Sequence, residues 1–223
     1  MSCPITAAAL RLDANGVELA ADLEVPQLAR GLVLFAHGSG SSRRSVRNRF
    51  VAEHLQQAGL ATLLFDLLSE EEDARDGGAG PLRFAIPLLR GRLSAVVDGL
   101  ADRPELRQLP LGLFGASTGA AAALGTAAER PELVRAVVCR GGRPDLAAPW
   151  LGQVRCPTLL VVGSLDRTVL GLNHHAARQL GGPHRLAVVD GAGHLFEEPG
   201  CLATVADLAA DWFGQWLPLR PGR

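Results

Sequence analysis

Two alternating stretches open the chain, Thr6 to Asp13 and Val17 to Glu24, with Asn15-Gly16 between them. Strict alternation puts apolar and polar side chains on opposite faces of a strand, and Asn-Gly tolerates the positive φ angles of a tight hairpin turn. The pattern predicts a β-hairpin. After Arg30 it changes. Six runs are almost continuously apolar: LVLFAHG (32–38), ATLLFDL (61–67), LGLFGAS (111–117), RAVVCRGG (135–142), TLLVVGSLD (158–166) and HRLAVVDGAGH (184–194). Short apolar runs without alternation suit strands covered on both faces, as in a parallel sheet.

Helical spacing fills the gaps between these runs. Arg47 to Ala58 places Phe50, Val51, His54 and Leu55 on one side, and residues 84–102 do the same with Ile86, Leu89, Leu93, Val96, Val97 and Leu100. Residues 118–129 are alanine-rich, and Asn173 to Leu180 and Leu202 to Trp216 supply two further helices. Strand alternating with helix predicts an α/β fold with a mostly parallel sheet of about eight strands. The acidic, then glycine-rich stretch SEEEDARDGGAG (69–80) reads as a solvated loop, or at most a small flap.

Composition narrows the class. A chain of 223 residues fits one domain, spanning 1–223, with a sizeable core. The net charge of −1 gives no electrostatic case for nucleic acid or an anionic membrane. No apolar run reaches the length of a membrane span, and the N-terminus lacks the basic and apolar regions of a signal peptide. Cys3, Cys139, Cys156 and Cys201 are widely spaced and read as reduced thiols, which makes a cytoplasmic setting the expectation. Their spacing fits no metal site, so neither a metal nor an organic cofactor is expected.

One join stands out. The strand run ending at Phe114 passes through Gly115-Ala116-Ser117-Thr118-Gly119 into the alanine-rich helix. A G-x-S-x-G turn between strand and helix holds its serine on a sharp corner, and its glycines let the two backbones approach closely. The serine hydroxyl then leaves the carboxyl edge of the sheet, and the Thr118 N–H, at a helix start, is placed to donate to an oxyanion. The bland alternative is a serine that merely caps the helix.

A nucleophilic serine needs a base, and the base needs an orienting carboxylate. Asp166 and His194 each follow an apolar strand run, at the edge of the sheet where catalytic groups gather. An ordinary turn-forming Asp is the bland reading of Asp166, and Asp190 is the alternative carboxylate. His54, His174, His175 and His184 read as structural or surface histidines. The loop FAHGSGSS (35–42) should supply the second oxyanion donor through Ser39, with Gly40 as the alternative and His37 as a structural member of the loop. Arg43, Arg44, Arg47 and Arg49 follow that loop, and Arg140 and Arg143 follow another strand at the same edge. Arginine forks recognise carboxylate or phosphate, so Arg47 and Arg140 are candidates for an anionic group on the substrate. The other reading pairs these arginines with Glu70 to Asp73. Phe196 and Leu68 are expected to form an apolar wall.

His37-Gly38, Gly115-Ala116-Ser117-Thr118-Gly119, Asp166 and Gly193-His194, in that order on successive strands, resemble the α/β-hydrolase superfamily. Without a cap domain, the compact chain is similar to its dienelactone-hydrolase-like group, over residues 30–217. That resemblance implies a three-layer α/β-hydrolase fold. Dienelactone hydrolase proper uses a cysteine nucleophile where this chain has Ser117, so the implied activity is a serine esterase acting on a small-molecule ester. A thioesterase, a lactonase, or a non-catalytic binding protein on the same scaffold are the alternatives.

Overall fold

The computed structural model describes residues 5–77 and 80–217. Cys3, Gly78, Ala79 and residues 218–223 lie outside them. Strands β1 (Ile5–Asp13) and β2 (Glu18–Pro26) form the expected hairpin, with Asn15 and Gly16 both at positive φ in the turn. The order is β1-β2-β4-β3-β5-β6-β7-β8, with β3 (Leu32–Ala36), β4 (Ala61–Phe65), β5 (Leu111–Ala116), β6 (Val134–Arg140), β7 (Thr158–Gly163) and β8 (His184–Val189). β2 joins β4 antiparallel, and every pair from β4 to β8 is parallel. Burial explains the continuous apolar runs of β3, β4, β5 and β7, in which every residue is buried, whereas β8 lies at the sheet edge with His184, Arg185 and Val188 exposed.

Helices cover both faces. Helix α1 (Val46–Gln57) and α6 (Cys201–Trp216) enclose one apolar cluster, with Val51, Leu55, Val205 and Phe213 against Val33, Phe35 and Phe114. Helices α3 (Ile86–Gly99), α4 (Thr118–Glu129) and α5 (Arg167–Ala177) cover the other face. This is the three-layer architecture expected. Ala120 to Ala123 of α4 are completely buried, so small side chains let this helix sit close between sheet and α3.

Three boundaries differ from the sequence pattern. The acidic stretch is not a loop over its first part: Glu70–Asp76 is helix α2. Ser69 and Glu72 close it with reciprocal hydrogen bonds, a capping box, and the acidic first turn complements the helix dipole. Helix α5 begins directly after Asp166 rather than at Asn173. Thr168, Val169 and Gly171 are weak helix formers, and burial of Val169, Asn173 and Ala176 overrides them. Helix α3 starts at Ile86 with Pro87 in its first turn, where a missing N–H costs nothing.

The topology fixes where a site can lie. From β3 the chain goes to β4 on one side, then crosses back to place β5 on the other. The loops leaving β3 and β5 therefore diverge at a switch point, which opens a crevice at the carboxyl ends of the strands. Phe35 and Phe114, paired in register with ring centroids 4.8 Å apart, lie buried in the core where these two strands run side by side.

Candidate active site

Ser117 leaves β5 with φ 51° and ψ −117°. A non-glycine residue there is strained, and only surrounding structure can hold it. The elbow glycines show what does. A Cβ on Gly119 would lie 2.2 Å from the Ala36 carbonyl oxygen, and one on Gly115 would lie 2.5 Å from the Ala120 Cα. The Ser117 N–H also donates to the Arg140 carbonyl at 3.2 Å. The capping alternative fails: the Ser117 side chain makes no cap bond to α4, although Ser117 is the N-cap position.

Asp166 occupies the same position before α5, and its side chain does not cap that helix either. Instead its Oδ2 lies 2.6 Å from Nδ1 of His194. An ionised carboxylate only accepts, so Nδ1 carries the proton and Nε2 is left as the base. Asp166 is mostly covered, with 14% of its side chain exposed, whereas the imidazole is 40% exposed. The alternative carboxylate is elsewhere: Asp190 accepts from the Ser164 hydroxyl at 3.2 Å. Gly141 links the two halves of the site. It follows Arg140, and a Cβ there would stand 3.5 Å from the His194 ring. Ser117, Asp166 and His194 are thus gathered at one edge, with the Ser117 hydroxyl making no hydrogen bond among the described residues.

The loop after β3 crosses above the nucleophile. A Cβ on Gly38 would sit 3.1 Å from the Ser117 Cβ. His37 is buried, and its ring is used at both nitrogens. Leu67 N–H donates to Nε2 at 3.0 Å, so Nδ1 carries the proton and donates to the Gly38 carbonyl at 2.9 Å. Burial holds its pKa below the usual value, which suits this neutral, bridging role. Among the described residues neither Ser39 N–H nor Gly40 N–H has an acceptor. Thr118 is buried at the first turn of α4, where a backbone N–H has no intrahelical acceptor.

The arginines separate. Arg140 is 8% exposed, and its Nε and Nη1 are buried with no hydrogen-bond partner among the described residues. Burial, and then the nearby charge of Arg47, push its pKa down to about 10. Arg47 donates to Glu197 at 2.9 Å, Arg43 pairs with Asp66, Arg49 with Asp22 and Arg143 with Asp145. None of them pairs with the acidic stretch, whose partners are Arg11, Arg75, Arg83 and Arg92.

Phe196 is a correction. It is 1% exposed, has a positive φ of 57° and belongs to the apolar core packed with α6. It does not form the exposed apolar wall expected. Leu68 is likewise buried. Two supporting residues carried no readable signal. Glu198 accepts from the Gly193 N–H at 3.0 Å and braces the His194 loop, and Arg83 reaches the Ser39 carbonyl. Among the described residues no cluster of His, Cys, Asp or Glu could hold a metal, and no helix is long and apolar enough to cross a membrane.

No family model matches the chain. A Mycobacterium tuberculosis protein provisionally named a phosphoribosyl transferase is 54% identical over 210 residues, covering 94% of this chain and 46% of that protein. The chain therefore spans about half the length of the curated relatives it matches. The crystal structure of a dienelactone hydrolase from Anabaena variabilis is 53% identical, with a TM-score of 0.94 over 96% of this chain and 99% of that one. Est1E from Butyrivibrio proteoclasticus has a TM-score of 0.78 over 93% of this chain and 98% of its own at 16% identity, a likeness of fold alone.

Proposed function

Since the chain belongs to the α/β-hydrolase superfamily, in its dienelactone-hydrolase-like group, we propose that it is a serine hydrolase of small carboxylic esters. The observation that carries this reading is the 2.6 Å pair of Asp166 and His194 at the edge where Ser117 stands strained and uncapped. In the reaction, His194 Nε2 takes the Ser117 proton as Oγ bonds to the ester carbonyl carbon. The carbonyl electrons move to oxygen, and the N–H groups of Ser39 and Thr118 stabilise that oxyanion. The imidazolium, held by Asp166, returns the proton to the leaving alkoxide as the ester C–O bond breaks. Water, deprotonated by His194, then releases the acid and restores Ser117.

Arg140 supports a preference for substrates with an anionic group. A buried guanidinium without a partner is costly, and a carboxylate entering beside Ser117 would pair with it. Arg47 adds positive charge from the rim but is already shared with Glu197.

Intact-mass analysis after fluorophosphonate treatment tests the activity. One adduct on the wild type, absent from Ser117→Ala, is expected. No adduct on folded wild type, or an adduct that persists in Ser117→Ala, would overturn the reading. For the anion, a dicarboxylic half-ester is compared with its neutral diester. Arg140→Met should reduce the preference about tenfold or more, the worth of one charged hydrogen bond. An unchanged ratio would dismiss that role.

A further inference from the structure

The structure assigns Arg83 as a positioning residue that aims the loop crossing above Ser117. This rests on the esterase reading above. Arg83 lies far from the nucleophile in sequence and follows α2. Its side chain is 9% exposed and spans three partners. Nη1 donates to the Ser39 carbonyl at 2.8 Å, Nε stands 3.2 Å from Asp76 Oδ2, and Nη2 bonds Asp73. Asp76 is itself fixed, with 1% of its side chain exposed and its Oδ1 accepting the Leu82 N–H at 2.9 Å.

The consequence follows from the planarity of the peptide group. In a trans peptide the C=O and the following N–H point in opposite directions. Holding a carbonyl therefore aims the next N–H. His37 Nδ1 and the Ser41 N–H hold the Gly38 carbonyl, which turns the Ser39 N–H the other way. Arg83 is the sole partner of the Ser39 carbonyl among the described residues, and it does the same for the Gly40 N–H. Both N–H groups are left without acceptors next to Gly38, the residue packed on Ser117.

Without Arg83 the Ser39–Gly40 peptide is free to rotate. Rotation would loosen the flanking Gly38–Ser39 peptide, whose N–H is the proposed oxyanion donor, and would turn the neighbouring Gly40 N–H away. That penalty falls on the transition state and not on the bound ester. Arg83 acts through the loop and not by touching substrate. It ties the loop to α2, which Arg92 anchors in turn through Glu72 and the Ala14 carbonyl.

The experiment measures kcat and KM with a neutral p-nitrophenyl ester, for wild type, Arg83→Met and Arg83→Lys. Each variant is also titrated with a boronic acid that mimics the tetrahedral intermediate. We expect kcat to fall about ten- to hundredfold in Arg83→Met with KM nearly unchanged, less than a full donor loss. Boronate affinity should fall in proportion. Arg83→Lys, which retains one charged donor, should recover part of both, and the acidic limb of the kcat/KM profile should stay in place. Should Arg83→Met fail to fold, Arg83→Lys against wild type carries the comparison. A folded variant with wild-type kcat and boronate affinity would overturn the assignment. A rise in KM with kcat unchanged would also do so. Failure of fluorophosphonate to label the wild type would instead remove the esterase reading beneath it.

Discussion

The two walls above the crevice are built by different means. On one side the elbow at Ser117 is set by backbone against backbone: α4 meets the β3 end with no room for a methyl group at Gly119. On the other side the loop at Gly38–Ser42 is set by side chains, with His37 and Arg83 gripping successive carbonyls. The first arrangement is a steric lock. The second is a pair of hydrogen-bonded grips that one substitution can release. A nucleophile must hold its angle throughout the reaction, whereas the loop opposite needs only its peptide planes aimed.

The sharpest break in the comparison is Gly119→Ala. Its Cβ would meet two backbone carbonyl oxygens, at 2.2 and 2.5 Å, and neither can yield without moving β3. A loss of roughly 3 kcal/mol or more is expected in urea unfolding, or no folded protein at all. A wild-type midpoint would show that the elbow is not sterically set. Next comes His37→Leu, which leaves the Gly38 carbonyl and Leu67 N–H without their partner. About 1–3 kcal/mol should be lost, and labelling of Ser117 should slow. Both would be visible in the same preparation, by melting and by adduct rate.

A pH series sharpens the contrast further. In the unfolded chain His37 titrates near the usual 6.5, and burial lowers that in the folded chain. Below that pH the unfolded state binds the extra proton first. The stabilisation is therefore complete above about 6.5 and is lost as pH falls toward the lower, folded pKa. Asp66 and Asp73 oppose the loss and Arg83 adds to it, since these charges face the ring. His37→Gln should flatten this part of the stability curve, whereas Gly115 and Gly119 have nothing to titrate. The smallest effect is expected from Gly40→Ala. Nothing lies within 4 Å of a Cβ there, so stability should stay within about 0.5 kcal/mol of wild type.

The same contrast explains what could be read from the sequence. A steric lock leaves a mark, because only glycine fits at 115 and 119, and an apolar run before it gives the context. Asp166 and His194 are marked for a related reason, each standing just past an apolar strand run. The grips left no mark. Arg83, in the short 3-10 helix Pro81–Phe84, and Glu198 reach their carbonyl and N–H from separate segments, and an isolated Arg or Glu has no pattern. Helix α2 is a different case. Its capping pair, Ser69 and Glu72, is visible in the chain but is masked by the run of acidic residues, which reads as solvated. Phe196 is different: its place two residues after His194 suggests the site, but it packs in the core with α6, which its sequence position does not reveal.

Arg140 sets a trade-off between holding the fold and receiving a guest. Its Nε and Nη1 are buried without a hydrogen-bond partner among the described residues, so an anion paired with them would stabilise the folded chain. Any anion that enters adds stability by mass action, about 2.7 kcal/mol at one hundred times its dissociation constant. The melting temperature should then depend on the buffer anion. Arg140→Met, relieved of the stranded charge, should melt higher than the natural chain and lose that dependence.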